Sequence, residues 1–501
     1  MAIDHLSRRA MLGALASLPA LSGLGALAGT REEFNAGLSK NPHLLGLANA
    51  KMESFDSGMK KLRGHLPSGL EGVLWRNGPA EHERFGDRYT HWFDGDGMVQ
   101  AYTLSGDRVT HRARILDTPK RRRETREGRR YIPAFGTAGS GPMSGPDDMN
   151  VANTSMLFHA GQLLALWEGG SALEVDPETL GAGKFKAWHP ELSGLPFSAH
   201  PRVEKDGTLW NTGAIFFPQE ALLIYRIHQN GTIVKANLLD VGPMGIVHDF
   251  VVTSRHIVVL LTPLVIDPDL WSDRDVSFLD AHVWRPAYGT RVLTIDKNQL
   301  EIVRRHELPP GFHFHHGNGW EEADGTIHLD VCQAPGPEFV TRDMREVMCG
   351  QLNFSSAHPR YSSIVLPPRS GAEINVLAPG PVEFPRIDSR RTGQRHRMVF
   401  ALTGDEVDGK WPFNRVIRID PELGETDGWT YPGHQIPEEH VFVPAGPAEG
   451  EGWLLGPYLD VRRKATGLNV FNARHVSAGP LWEGILPYFI PLGLHGTFAA
   501  L

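Results

Sequence analysis

From about residue 70 to its C-terminus the chain is written as short β-rich runs, each closed by Gly, Asn, Asp or Pro. "GVLWRNGP", "MVQAYTLSGDRVTHRARIL", "QLLALWEGG" and "TLWNTGAIFF" begin the series. "HIVVLLTPLVI", "TRVLTID", "TIHLDV", "NRVIRID" and "GWLLGPYLDV" carry it to the end. β-Branched and aromatic side chains suit a pleated, packed strand, while Gly and Pro interrupt it. Strands that do not alternate with helices exclude a doubly wound parallel sheet and leave arrays of sandwiches or a propeller. No short exact repeat marks successive blades. One helix is expected within residues 31–63, before the first strand. No Pro-, Ser- or charge-rich linker divides the chain, so residues 29–501 read as a single all-β domain.

A formal net charge of -8 and a pI of about 6.3 imply no nucleic-acid partner. The one basic run, Lys120-Arg121-Arg122-Arg123 through Arg129-Arg130, is interrupted by Glu124 and Glu127. It reads as a solvated charged segment, with contact to anionic lipid or a partner as the alternative. Two cysteines, Cys332 and Cys349, exclude a disulfide scaffold and a zinc ribbon, and leave open whether they pair.

At the N-terminus Arg8-Arg9 precedes a modestly apolar Ala/Leu-rich run that ends at the small-x-small site Ala26-Leu27-Ala28. This is the pattern of a twin-arginine signal peptide over residues 1–28, so the mature protein is expected in the periplasm. The run is too short and too broken by Gly and Pro to span a membrane stably.

Of the 24 histidines, four stand in contexts unlike ordinary surface: His200 in "SAHPR", His248 in "VHDFVV", His315 in "FHHGNGW" and His495 in "GLHGTF". The gaps between them are 48, 67 and 180 residues. Ligands so dispersed can meet only in a fold that gathers distant strands on one axis, as a propeller does.

As an ordered set these segments resemble the carotenoid cleavage oxygenase family, which includes retinal-pigment-epithelium-type isomerases and stilbene-cleaving dioxygenases. The resemblance runs from "LEGVLWRNGP" and "HWFDGDGMV" through "ANTSMLFHAGQLLALWEGG", "AHPR", "HDF", "FHHGNGWEE", "VEFPRI" and "FVPAGPAEGEGWLL" to the terminal "HGTF". It implies a seven-bladed β-propeller capped by loops and short helices, with one Fe(2+) on its axis held by four histidines. The family pattern H-x-x-N-x-x-E falls on His315, Asn318 and Glu321 and leaves His313 and His316 outside the ligand set. His200, His248 and His495 carry over as the other ligands. Carboxylates behind the imidazoles are implied at Glu168, Glu383 and Glu449, with Glu451 as the alternative to Glu449. Such carboxylates would fix the tautomers and offset the metal's charge.

Four ligands on an octahedral ion leave two positions, one of them for O2, and Thr154 matches a family threonine that limits the other. The implied reaction is oxidative cleavage of a conjugated C=C bond to two carbonyl products, without an organic cofactor. Family substrates include carotenoids, apocarotenoids, stilbenes and phenylpropenes. A carotenoid or apocarotenoid is the first expectation. A phenolic stilbene or phenylpropene held by Tyr89 and Lys120 is the alternative, and isomerisation on the same scaffold is the second alternative. Apolar substrates in this family enter from a hydrophobic surface near a membrane. Ala214–Ile224 and "LLGLANA" are candidates for that surface.

Overall fold

A computed structural model describes residues 31–500, apart from 218, 272–274, 355–356, 370, 379 and 406–409. The signal-peptide expectation for residues 1–28 lies outside the described residues.

Seven antiparallel sheets follow one another along the chain as the blades of a propeller. Blade 1 holds Ser54–Gly58, Gly72–Glu81, Asp96–Ser105 and Arg108–Ile115. Blade 2 runs from Ser155–His159 to Ala182–Phe185, and blade 3 from Arg202–Val203 to Ile233–Leu239. Blade 4 spans Val251–Val252 to Ile302–Leu308, blade 5 Phe312–Glu321 to Glu373–Ala378, and blade 6 Val382–Ile387 to Thr426–Thr430. Blade 7 is built from Gln435–Pro437, Val441–Pro444, Gly452–Asp460, Ala465–Asn472 and Trp482–Ile485.

The ring is closed twice. The C-terminal strand Gly496–Ala500 pairs with Gly72–Glu81 in blade 1, and the N-terminal strand Lys60–Gly64 pairs with Trp482–Ile485 in blade 7. Each closure ties one end of the chain to a blade built from the other end.

Each blade presents two faces to its neighbours, and the core is a ring of inter-blade clusters. Trp210, Leu222 and Ile224 of blade 3 pack on Phe250, Ile257 and Val259 of blade 4. Val258 and Leu260 of blade 4 pack on Leu329, Val331 and Ile364 of blade 5. Burial on both faces makes inner strands read as unbroken apolar runs, as in His256–Leu261. The outer strand Arg108–Ile115 keeps the period-two alternation of a half-exposed strand.

The expected helix is present as Arg31–Lys40, with Phe34 buried. Strands begin earlier than expected, because Ser54–Gly58 and Lys60–Gly64 are largely exposed edge strands without apolar periodicity. The candidates for an exposed apolar surface are core instead. Ala214–Ile224 falls mostly on two paired strands of blade 3, and Leu44 and Leu47 are fully buried in a short 3₁₀ helix.

The basic run is a helix, Pro119–Glu127, with Thr118 capping its start and Gly128 in the left-handed conformation at its end. It is not wholly solvated: Lys120 and Glu124 are fully buried and paired at 3.2 Å. Cys332 is buried, Cys349 is half-buried, and both are free thiols. No described helix is long and apolar enough to cross a membrane.

Candidate metal centre

The inner ends of the blades converge on the propeller axis, and each blade places one residue there. His200 stands just ahead of the first strand of blade 3, and His248 just ahead of that of blade 4. His315 lies within the first strand of blade 5, and His495 directly precedes the closing strand of blade 1. The Nε2 atoms of His200 and His248 are 2.9 Å apart, those of His248 and His315 3.2 Å, and those of His315 and His495 3.1 Å. One nitrogen of each histidine lies within 4.8 Å of all the others.

Blades 2, 6 and 7 supply carboxylates. Glu168 bonds His248 Nδ1, Glu383 bonds His315 Nδ1 at 2.5 Å, and Glu439 bonds His495 Nδ1 at 2.7 Å. These contacts fix the tautomer: Nδ1 carries the proton and donates it, leaving each Nε2 as a bare lone pair. Unprotonated nitrogens facing one another at about 3 Å have no hydrogen bond to make, and a cation among them satisfies every one. Neutral imidazoles suit iron, zinc or copper. Burial holds His200 well below the usual imidazole range and His495 at about 3, so both are neutral. The donor set therefore fits a resident divalent ion.

Glu439 is the carboxylate that sequence reasoning missed, and Glu449 is not at the site. Glu449 Oε1 accepts the backbone N–H groups of Arg397 and Met398 at 2.8 and 3.0 Å, and Glu451 Oε2 accepts that of Ala448 at 3.2 Å. Both acids lie in the turn between Val441–Pro444 and Gly452–Asp460, which carries them off the axis. Glu439 lies one segment earlier, between two strands that both pair with Gly452–Asp460. It also accepts from Arg76 Nη1 at 3.0 Å, Arg386 Nε at 2.7 Å and the Gly496 N–H at 2.9 Å. Burial pushes its pKa up, but Arg386, His495 and Arg76 outweigh that and hold it well below the usual carboxylate range. The available signal was "IPEEH", an acidic pair between two short strands.

The rest of the H-x-x-N-x-x-E pattern braces blades. Asn318 Nδ2 donates to the carbonyls of Arg391 and Gln394 at 3.0 and 2.9 Å, which tie blade 5 to blade 6. Glu321 accepts from Thr253, Ser254, Arg255 and His256 in the turn of blade 4. Burial raises the Glu321 pKa, but the bonds from His256, Arg255, Thr253 and Ser254 bring it to about 2. A depressed carboxylate pKa contributes stability that is present above the ordinary glutamate range and lost as pH falls towards 2. Glu321→Gln is expected to remove about 2 kcal/mol at pH 7 and to flatten the acid side of the stability profile. Urea titrations at pH 7 and pH 3 measure both.

The centre opens onto a cavity of about 510 Å3, lined by His248, His315, His495 and Thr154 and walled by aromatic side chains that include Trp92, Phe93, Phe314, Phe384 and Trp411. Loop and short-helix segments outside the blades, among them residues 143–149 and 190–196, complete the wall. Phe314 stacks on the His248 ring with centroids 3.6 Å apart. Phe384 occupies the left-handed region at φ 59°, beside a register break in the first strand of blade 6. A bulky residue there is strained. Its ring lies 5.5 Å from His315 and 5.3 Å from His495, and its N–H donates to Glu383 at 3.2 Å. Thr154 is bound to the centre through its carbonyl, which accepts the His495 N–H at 3.2 Å.

A match to the retinal pigment epithelial membrane protein family spans residues 50–500. The chain belongs to that family, the carotenoid oxygenases. An apocarotenoid-15,15'-oxygenase of Synechocystis is 27% identical over 470 residues, covering 89% of this chain and 94% of that protein. A lignostilbene-alpha,beta-dioxygenase of Sphingomonas paucimobilis is 26% identical over 473 residues, covering 88% and 93%. Among solved structures, the cobalt-substituted Synechocystis apocarotenoid oxygenase superposes with a TM-score of 0.83 at 24% identity, covering 92% of this chain and 98% of that one. That likeness establishes the seven-bladed fold.

Within this carotenoid oxygenase, Tyr89 and Lys120 do meet, with Lys120 Nζ donating to the Tyr89 hydroxyl at 2.5 Å. They do not line the cavity, and both are fully buried. Tyr89 shares an apolar cluster with Trp92 and Trp411, which are wall residues. Burial pushes the Tyr89 pKa well above the phenol range, so its hydroxyl stays neutral. The pair expected to hold a substrate phenol therefore lies outside the cavity lining.

Proposed function

We propose that this chain is a non-haem Fe(II) oxygenase that cleaves a conjugated C=C bond of a carotenoid or apocarotenoid to two carbonyl products. One observation carries the reading: four converging imidazole lone pairs, three of them fixed by carboxylates, open onto an aromatic-walled cavity. His200, His248, His315 and His495 would hold the iron, whose chemistry is the activation of O2 beside an electron-rich alkene. Glu168, Glu383 and Glu439 keep the Nδ1 protons in place so that each Nε2 stays available. The aromatic walls position the polyene and exclude water, and Thr154 narrows the space beside the centre. The activities of the carotenoid- and stilbene-cleaving relatives support this class of reaction.

A phenolic stilbene is the second reading, favoured by the lignostilbene-cleaving relative. The burial of Tyr89 and Lys120 behind the wall supports the polyene instead. Fe(II)-loaded protein is to be incubated with an apocarotenal, a hydroxystilbene and isoeugenol, and aldehydes assayed. The apocarotenal is expected to exceed the hydroxystilbene in kcat/KM by about tenfold or more, and Tyr89→Phe to leave its cleavage unchanged. Preference for the hydroxystilbene, lost in Tyr89→Phe, would install the stilbene reading. An isomerised but intact skeleton would install the isomerase.

The paired Arg8-Arg9 supports export of the precursor by the twin-arginine machinery to the periplasm. Replacing both arginines by lysine is expected to trap the precursor in the cytoplasm. Unchanged periplasmic recovery would refute the route.

A further inference from the structure

We infer that Arg202 is the positioning residue that sets the register of three of the four histidines. It stands two residues after His200, and its guanidinium reaches the segments that carry two other ligands. Arg202 Nε donates to the Phe250 carbonyl at 2.8 Å, two residues after His248. Nη1 donates to the Gly317 carbonyl at 3.1 Å, two residues after His315. Nη2 donates to the His316 carbonyl at 3.0 Å and to both Asp249 oxygens at 2.7 Å. Asp249 completes the clamp, because its Oδ1 accepts the Phe250 N–H at 2.7 Å and its Oδ2 the His316 N–H at 2.8 Å. One partly buried ion pair thus fastens blades 3, 4 and 5 to each other at the backbone beside their ligands.

The clamp makes up for a gap in the carboxylate set. Glu168, Glu383 and Glu439 serve His248, His315 and His495, whereas His200 has no carboxylate partner among the described residues. Its backbone N–H is held by Ser198 Oγ at 3.2 Å, and that hydroxyl in turn donates to the His248 carbonyl at 3.2 Å. The Arg202 fork adds fixed backbone geometry between His200 and its neighbours. A lysine offers one point charge in place of this planar fork and cannot span carbonyls from two blades together with a carboxylate.

The inference rests on reading the four histidines as a metal site. Wild type, Arg202→Lys and Asp249→Asn are to be titrated with Co2+ as the probe, recording the visible absorption of the bound ion, with thermal unfolding of metal-free and Co2+-loaded protein in parallel. The expected result is an affinity about 10- to 100-fold weaker in both variants. The absorption band should be altered, and the rise in Tm on adding Co2+ should shrink. Unfolding shifts that are equal with and without metal, together with an unchanged band and affinity, would overturn the proposal and leave the pair a plain structural brace. Should Arg202→Lys not fold, Asp249→Asn keeps the side-chain shape and decides alone. Wild type that binds no Co2+ would instead refute the metal reading itself.

Discussion

Replacing His315 by alanine is expected to abolish metal binding and alkene cleavage together. His315 is central in the chain of lone pairs, with its Nε2 3.2 Å from that of His248 and 3.1 Å from that of His495. Its loss leaves three nitrogens spread over a wider gap and removes the ring donor to Glu383, a carboxylate whose side chain is 2% exposed. Displacing an outer-shell partner alone costs 10- to 100-fold in affinity, so loss of a ligand together with its partner's donor should exceed about 100-fold. His313→Ala is the matched control. The His313 ring is buried two positions away and its nitrogens make no hydrogen bond within the protein. Its removal should cost packing stability and leave the metal stoichiometry at one. Equal metal content in wild type and His315→Ala would refute the site.

Glu439→Gln is expected to produce the largest loss of stability of any single substitution at the centre. The carboxylate takes Arg76, Arg386, His495 and the Gly496 N–H at once, and its side chain is 1% exposed. An amide turns one acceptor edge into a donor facing guanidinium groups, and so leaves buried positive charge uncompensated. Breaking a buried pair from one side costs about 3–5 kcal/mol. The same change removes the acceptor that fixes the His495 tautomer, so metal affinity should fall with stability. Glu449→Gln, at the position implied by the family pattern, should stay within about 1 kcal/mol and leave metal binding untouched. Urea midpoints and Co2+ titration of the two variants compare the assignments directly, and a larger effect at Glu449 would reverse them.

These two cases mark where the sequence could be read and where it could not. Unbroken apolar runs between Gly and Pro made an all-β fold legible. Singleton histidines at large separations implied convergence on an axis. The outermost strands Ser54–Gly58 and Lys60–Gly64 were illegible, because an exposed edge strand carries no apolar period. Glu439 was obscured for a different reason. Which acid of blade 7 reaches the axis depends on which side of the Val441–Pro444 strand it falls, and nothing in "EEH" or "AEGEG" states that alone. The proximity of Tyr89 and Lys120 was legible, but their depth was not. Depth depends on long-range packing: Tyr89 shares one buried cluster with Trp92 and Trp411, whose rings meet edge to face at 5.5 Å. The basic run misled by charge count, since Lys120, Arg121 and Glu124 are buried on a helix whose Arg122 and Arg126 are exposed.

The proposed reaction is cleavage of a conjugated double bond with dioxygen at this centre. The most direct measurement is mass analysis of the products formed by Fe(II)-loaded protein from an apocarotenal under 18O2. Two shorter carbonyl fragments are expected, whose masses sum to the substrate plus the added oxygen, with 18O recovered from the gas and no products from His315→Ala. A product with the carbon skeleton intact, or fragments that form equally without O2, would contradict it.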